Sequence, residues 1–573
     1  MIEITNPPKP SAPALAAAAG DAGSKAAVRR LGDQVAQVDS AALQPLLRKA
    51  LDAMRAGRRD DAAKAALAAL EIDERSGLAW HILAICREKS GDFTAALQAY
   101  EAALGLSPDE PELANDLARL ALKMGMARVA EGLLGAYLAR RPGSVDALNN
   151  LGIAQRDQMK FGQAVETLRG AIQANPDSAM LWNTLASVLT LQGHTEQALV
   201  FYDEALRLEP GFAGARYNRA MARLAAGVSE GVIADFDAAI AAVPGPEAGA
   251  MRVARAWALL ALGDLPGGWA AYDARRDPAY EDAVHFAVEA PPWRNDLDLS
   301  GKTLLVVGEQ GLGDEVLFAN ILPDLARELG PDGKLVLAVE PRLVPLFARS
   351  FPDAEVGAHA SFKVDHHNAR AAPFLKDRTG EFDAWAVMGQ PLARLRPSAE
   401  AFEGTDGFLQ ADRARVDRWR GVLQGAGPGR KVGVLWKSLV MDAERVRYFA
   451  PLEAWAPVLA TPGVTFVNLQ YGVGAVPGLW TPPGLDLKDD LDDVAALCGA
   501  LDLVIGPSNV TTNLAGATGA PVWLITPRRT WTQLGTDAYP WYPQARVFSP
   551  PQLDRWPDAM DRIAEALEEW AGH

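Results

Sequence analysis

The sequence predicts an α solenoid followed by an α/β half built from two doubly wound domains. Two observations carry this. Small, aromatic and proline positions recur every 34 residues through the first half. After Arg276, continuous apolar runs of buried-strand type alternate with amphipathic helices. Composition sets the outer bounds: 573 residues, 49% hydrophobic and 22% charged, suit several ordinary globular domains and exclude disorder as the main state. A net charge of −16 opposes a general nucleic-acid or acidic-membrane binder, because phosphate charge would repel it. Cys86 and Cys498 lie too far apart for a disulfide framework or a zinc knuckle and fit a reducing compartment. With no apolar run of about 18 residues, no membrane span is expected, and a cytoplasmic location follows.

Residues 1–42 read as a flexible tail and linker. The opening Pro/Ala stretch lacks the basic start and longer apolar core of a secretion signal. From Gly77 the period is explicit. Trp80, Leu83, Ala84, Gly91, Ala96, Tyr100, Ala103 and Pro108 stand at offsets 4, 7, 8, 15, 20, 24, 27 and 32. The pattern returns with Leu117, Ala118 and Gly125, with Leu151, Gly152 and Ala164, with Trp182, Leu185, Ala186 and Tyr202, and with Ala220, Gly227 and Phe236. Small residues let two antiparallel helices approach, large ones fill the gaps between pairs, and proline stops the second helix. This resembles the tetratricopeptide repeat. The array is predicted over 43–275, with a cap at 43–76 and a last helix pair at 249–275. Trp80, Trp182, Tyr100 and Tyr202 are predicted core residues. A stacked array of this kind presents a concave surface suited to a protein or peptide. Asn149, Asn150, Asn183 and Asn218, on the first helices of their pairs, are the candidate acceptor-groove residues, with solvated polar positions as the alternative.

Residues 276–300 read as a polar connector, 301–425 as one α/β domain and 426–573 as a second. KTLLVVGEQ, KLVLAVE and FDAWAVM are strands of the first; KVGVLWKS, VTFVNLQYG, LVIGPS and PVWLITP are strands of the second. In such sheets ligands sit outside the carboxyl ends of the strands. Three strand ends stand out. Gly308 to Glu315 gives glycines and helix-terminal amides that can approach a negative ligand. Trp436-Lys437-Ser438, with Arg445 and Arg447 beyond, supplies cations. Ser508-Asn509-Val510-Thr511-Thr512-Asn513 supplies hydroxyls and amides at a helix start. Adjacent His366 and His367 lack a third metal ligand and read as a surface loop.

The segments GWAAYDARR, PPW and GKTLLVVGEQGLGDEVLFANILP resemble bacterial proteins that fuse tetratricopeptide repeats to a glycosyltransferase of GT-B type with two Rossmann-like domains. NLQYG, DLVIGPSNVTTNLAGATGAPVW and LGTDAYPWYPQARVF are most similar to the flagellin glycosyltransferases within that family. The resemblance spans residues 43–573. It implies a metal-independent, inverting cytoplasmic enzyme that needs no cofactor beyond its donor. A nonulosonic acid of pseudaminic or legionaminic type would pass from a CMP-activated donor to Ser or Thr of flagellin. The repeats would recruit flagellin or a flagellin–chaperone complex. By the same resemblance Asp314 is the expected catalytic base, with Glu309 second; a first-turn carboxylate serving the helix dipole is the alternative for Asp314. Gly311, Gly313, Lys437, Ser438, Arg447, Gln470, Ser508, Asn509, Thr511, Thr512 and Asn513 are the expected donor-binding residues, and Lys437 has a solvated strand-end lysine as its alternative. Related heptosyltransferases carry Asp-Thr-Gly and His-Leu-Ala where this chain has Ser508-Asn509-Val510 and Asn513-Leu514-Ala515. That departure points away from a diphosphate donor and towards a monophosphate one. A scaffold with an inactive transferase fold, or a transferase for another nucleotide-sugar or a glycan acceptor, are the alternative readings.

Overall fold

The computed structural model describes residues 20–572, apart from residues 244, 279, 281, 365–366, 377, 403–406, 439–440, 442–444, 475 and 554. It divides into two compact units, residues 1–222 and 223–573. No described helix is long and apolar enough to cross a membrane.

The described part of the first unit is built of helices. It begins with α1 (Gly20–Ala36), followed by the pairs α2 (Leu43–Arg55) and α3 (Arg59–Ile72), α4 (Gly77–Lys89) and α5 (Phe93–Leu106), α6 (Pro111–Lys123) and α7 (Ala127–Arg140), α8 (Val145–Asp157) and α9 (Phe161–Ala174), and α10 (Ala179–Leu191) and α11 (Thr195–Leu208). Helix α12 (Ala213–Ala225) closes the series. The expected tail and linker over 1–42 is therefore corrected within its described part. Val28, Leu31 and Val35 share one helical face, and Leu31 and Val35 are buried. The residues before Gly20 lie outside the described ones.

The small positions do what their spacing implies. Ala84, Ala96, Ala103, Ala118, Ala130, Ala164, Ala186, Ala198 and Ala205 are all fully buried. At Gly152 an added Cβ would lie 2.7 Å from the Leu168 side chain, so only glycine lets α8 and α9 close to this distance. Side-chain caps fix the helix starts: Ser76 accepts from Ala79 N at 3.3 Å and Asp92 from Ala95 N at 3.1 Å. Tyr100 and Tyr202 are core, but Trp80 and Trp182 are only half-buried. Their indole Nε1 atoms donate to Glu74 O at 2.9 Å and Pro176 O at 2.8 Å, bracing the turn before each pair. Arg216, at the same offset, does this work by donating to Pro210 O at 2.9 Å.

The second unit opens with α13 (Val232–Ala242), α14 (Gly249–Ala261) and α15 (Leu265–Tyr272). The sequence assigns these to the repeat array. Here Leu260, Leu265, Trp269 and Tyr272 join the core of the α/β half, and Trp269 Nε1 donates to Arg396 O at 2.8 Å. The expected connector is likewise built in. It carries β1 (Val284–Phe286), and buried Trp293 donates its backbone N–H to Trp385 O at 2.7 Å.

Next come β2 (Thr303–Val307), α16 (Leu312–Phe318), α17 (Leu322–Leu329), β3 (Lys334–Val339), α18 (Val344–Ser350), β4 (Glu355–Ala358), β5 (Ala360–Val364), β6 (His367–Ala371) and β7 (Ala384–Val387). The parallel sheet runs β4-β3-β2-β7, and β1-β6-β5 forms a separate small sheet. The surface loop expected around His367 is thus an antiparallel hairpin in which Val364 faces His367; His366 lies outside the described residues. Helix α19 (Arg413–Gln424) leads to β8 (Arg430–Val434), β9 (Val464–Asn468), α20 (Leu491–Ala500), β10 (Leu503–Pro507), α21 (Val510–Ala517), β11 (Val522–Ile525), β12 (Arg546–Phe548) and α22 (Trp556–Gly572). Their parallel sheet runs β12-β11-β10-β8-β9. Strand order reverses between β2 and β7 in one sheet and between β8 and β10 in the other, the points beside which such sheets take their ligands. The two sheets share a core in which Trp541 meets Phe318, Phe402 and Trp269.

Candidate functional site

The helices that leave the two switch points touch at their starts. Asn513 Nδ2 donates to Gly313 O at 2.9 Å. An added Cβ at Gly313 would stand 3.3 Å from Val510 N, so the glycine is what allows this approach. Asp314 follows at once, half-buried, its Oδ2 accepting from Gly311 N at 3.0 Å. Burial pushes its pKa up to about 6; the Gly311 amide opposes this, the Glu309 and Glu315 charges reinforce it, and Arg370 opposes it. A carboxylate so placed can accept or hold a proton near neutrality. Across the contact, the Ser508 and Tyr539 hydroxyls lie 2.7 Å apart. Burial pushes Tyr539 up to about 12, against the Ser508 and Thr532 hydrogen bonds and with the Asp314 charge.

Glu309, the second candidate base, has a different task. It is 3% exposed, and both its oxygens take bonds from Arg275, each at 2.7 Å. Gly389 N adds a third at 2.6 Å. A carboxylate held by a buried guanidinium and an amide is no free proton acceptor. It ties the segment after α15 to the carboxyl ends of β2 and β7. Gln310 beside it adopts φ 58°, a left-handed conformation that is strained for a side-chain-bearing residue. Arg370 of β6 holds this loop, donating to Gly308 O at 2.5 Å and to Gln310 O at 2.7 Å. Its third contact is Glu315 at 3.1 Å, a buried carboxylate that also meets His359 at 2.8 Å and Glu340 N at 2.9 Å.

On the second sheet, Gln470 is nearly inaccessible. Its Oε1 accepts from Trp436 N at 3.0 Å and Lys437 N at 2.9 Å, so it shapes the loop after β8 from beneath. Lys437 and Ser438 stand half-buried in that loop. Arg447 lies over the Tyr448 ring at 4.7 Å, donates to the Tyr448 hydroxyl at 2.6 Å, and accepts from Trp556 Nε1 through its carbonyl. The start of α21 is capped from within. Asn509 Oδ1 accepts from Thr511 N at 2.9 Å and Thr512 N at 3.3 Å, and Thr512 Oγ1 donates to Pro507 O at 2.8 Å. Thr511, Thr512 and Asn513 are buried. The two amides expected to meet a ligand are thus taken by the chain itself. Among the described residues, Asn509 Nδ2 and Asn513 Oδ1 remain buried without a partner.

The four groove asparagines are buried, not exposed, and three of them, Asn149, Asn183 and Asn218, form a ladder between successive pairs. Thr184 Oγ1 donates to Asn149 Oδ1 at 2.6 Å, and Asn218 Nδ2 to Asn183 Oδ1 at 3.0 Å. His81 and Asp116 make the same 35-residue step at 3.0 Å. Asn150 is buried without such a bond, and Asn115, one step back, leaves Oδ1 buried and unpartnered among the described residues.

Sequence reading singles out the strand ends that carry Asp314 and Ser508, and the structure brings Gly313 beside Asn509 and Asn513. It misses Arg275, Arg370, His359 and Tyr539. Each acts through a partner at least 31 residues away in the chain, which no local pattern discloses.

Profiles of the tetratricopeptide repeat match residues 47–111, 88–151 and 151–211. Protein FlbA of Caulobacter vibrioides is 48% identical over 570 residues, 97% of this chain and 95% of that protein. Protein O-mannosyl-transferase TMTC1 of Homo sapiens is 24% identical over 159 residues, 21% of this chain and 18% of that one. Among solved structures, a tetratricopeptide repeat protein of Parabacteroides merdae covers 40% of this chain and 91% of its own, at 17% identity and TM-score 0.36. With identity to FlbA extending across the repeats and both sheets, the chain belongs to the FlbA family.

Proposed function

We propose that this chain is a cytoplasmic, metal-independent protein O-glycosyltransferase whose α/β half is a GT-B fold. It transfers a nonulosonic acid of pseudaminic or legionaminic type from a CMP-activated donor to Ser or Thr of flagellin, which the repeats recruit alone or with its chaperone. One observation carries the reading. Two doubly wound sheets present their switch points to each other, with Asp314 at one helix start and Ser508 at the other. The partial likeness to a named O-mannosyl-transferase agrees with a transferase.

In the proposed reaction Asp314 takes the proton of the acceptor hydroxyl. The freed oxygen attacks the anomeric carbon from the face opposite the phosphate, and the carbon–oxygen bond to CMP breaks with its electron pair, inverting the centre. Lys437, Ser438 and Ser508 supply charge and hydrogen bonds to the departing phosphate. Arg275, Arg370 and Gln470 act as positioning residues for the two loops.

The internal capping of Thr511 and Thr512 favours a second reading, a binding scaffold on an inactive transferase fold. Incubation with flagellin and a CMP-nonulosonate, read by intact mass, separates the two. Wild type adds the sugar mass, Asp314→Asn loses at least 100-fold in rate and Lys437→Ala about 10-fold, each with binding of flagellin retained. Undiminished modification in both variants overturns the site. Absence of any thermal shift with CMP-, UDP-, GDP- and ADP-sugars establishes the scaffold.

A further inference from the structure

Helix α1 does not stack as one of the repeats. In the stack, a second helix contacts its own first helix and the first helix of the next pair. Helix α1 instead packs on α2 and α4 and extends to α6, the first helices of three successive pairs. Those first helices line the inner face of a repeat array. α1 therefore lies along the concave side, in the place of a bound ligand.

Its contacts have a definite chemistry. Leu31 and Val35, each 1% exposed, enter the core formed by α2 to α6. Beside them Arg30 reaches Glu112 at 3.4 Å and Asp116 at 3.6 Å, and Gln34 Nε2 donates to Glu110 Oε2 at 2.9 Å. These three acidic residues of the α6 segment make a rail. Asp116 is fixed in turn by His81 and stands 3.8 Å from Arg119, which pairs with buried Glu88. Asn115, on the same helix, keeps its unpartnered Oδ1. Val28, Leu31 and Val35 contribute aliphatic burial, and residues 37–42 connect α1 to the array. A helix joined to its site through so short a tether is a ligand at high effective concentration.

We propose that the concave face over α2, α4 and α6 is a helix-binding groove whose built-in occupant is α1. A partner displaces α1 with an amphipathic helix that carries a basic residue beside two aliphatic residues four positions apart. This groove stands whatever chemistry the second unit performs.

The test uses the full chain and a fluorescent peptide spanning residues 20–38. Leu31→Asp with Val35→Asp undocks α1 in the protein, and the labelled peptide then binds at least 10-fold tighter than to wild type. The same peptide carrying Leu31→Asp, or Arg30→Glu, binds at least 10-fold more weakly to that variant. In a second protein variant, Arg30→Glu, which leaves both aliphatic residues in place, peptide binding strengthens about threefold. Equal binding to wild type and both protein variants overturns the proposal. So does melting of the repeats in the double variant, because α1 would then be part of the core.

Discussion

Asp314→Asn separates the stability of this fold from the chemistry proposed for it. The Asp314 pKa of about 6, against 3.8 for a free side chain, means that the native protein binds this proton more tightly than the unfolded chain. At about 1.4 kcal/mol per pH unit, keeping Asp314 ionised at pH 7.5 costs roughly 3 kcal/mol of stability. The sign follows from the direction: the contribution favours the fold below pH 4 and is lost as pH rises through about 6. Asparagine carries no such charge and keeps an oxygen to accept from Gly311 N. Asp314→Asn is therefore expected to stabilise the protein by about 1–3 kcal/mol at pH 7.5, with at most half that gain left at pH 4.5. Urea denaturation of both proteins at the two pH values measures it. No gain at pH 7.5, or an equal gain at both, refutes the assignment of Asp314 as a carboxylate held against its ionisation. In the same protein the proposed transfer should be lost, and in wild type it should fall off below about pH 6 as Asp314 gains its proton.

Three further outcomes follow from named contacts. Arg275→Met leaves Glu309 buried with only the Gly389 amide and should cost about 3–5 kcal/mol by urea denaturation, much of it recovered when Glu309→Gln is added. Gln310→Gly relieves a left-handed backbone and should raise stability by roughly 0.5–1 kcal/mol, seen as a higher denaturation midpoint. Asn183→Leu strips the Asn218 amide of its acceptor and should cost about 1–3 kcal/mol, read by loss of helical circular dichroism in urea.

The repeats were legible because their information is periodic. Ala84, Ala118 and Ala186 are small where helices must touch, and that requirement recurs with every pair. The strands were legible for a similar reason: β2, β3, β8 and β10 are covered on both faces and read as continuous apolar runs. The hairpin of β5 and β6 was not, since β5 is largely exposed, β6 is largely half-buried, and neither carries an apolar period. Trp80 and Trp182 look like core in the sequence, yet bonds to Glu74 and Pro176 hold them at the edge of a turn.

By itself the sequence determined the solenoid, the parallel strands of the α/β half and the strand ends beside which Asp314 and Ser508 stand. These rest on local periodicity and on residue types at the ends of strands. Only the tertiary structure decided that Glu309 answers to Arg275, that Asn149 and Asn183 bond to the next pair, and that α1 packs on the first helices of successive pairs. Each of those depends on which distant group arrives first at a buried polar atom, and an unmet one costs about 1–3 kcal/mol wherever its partner lies in the chain.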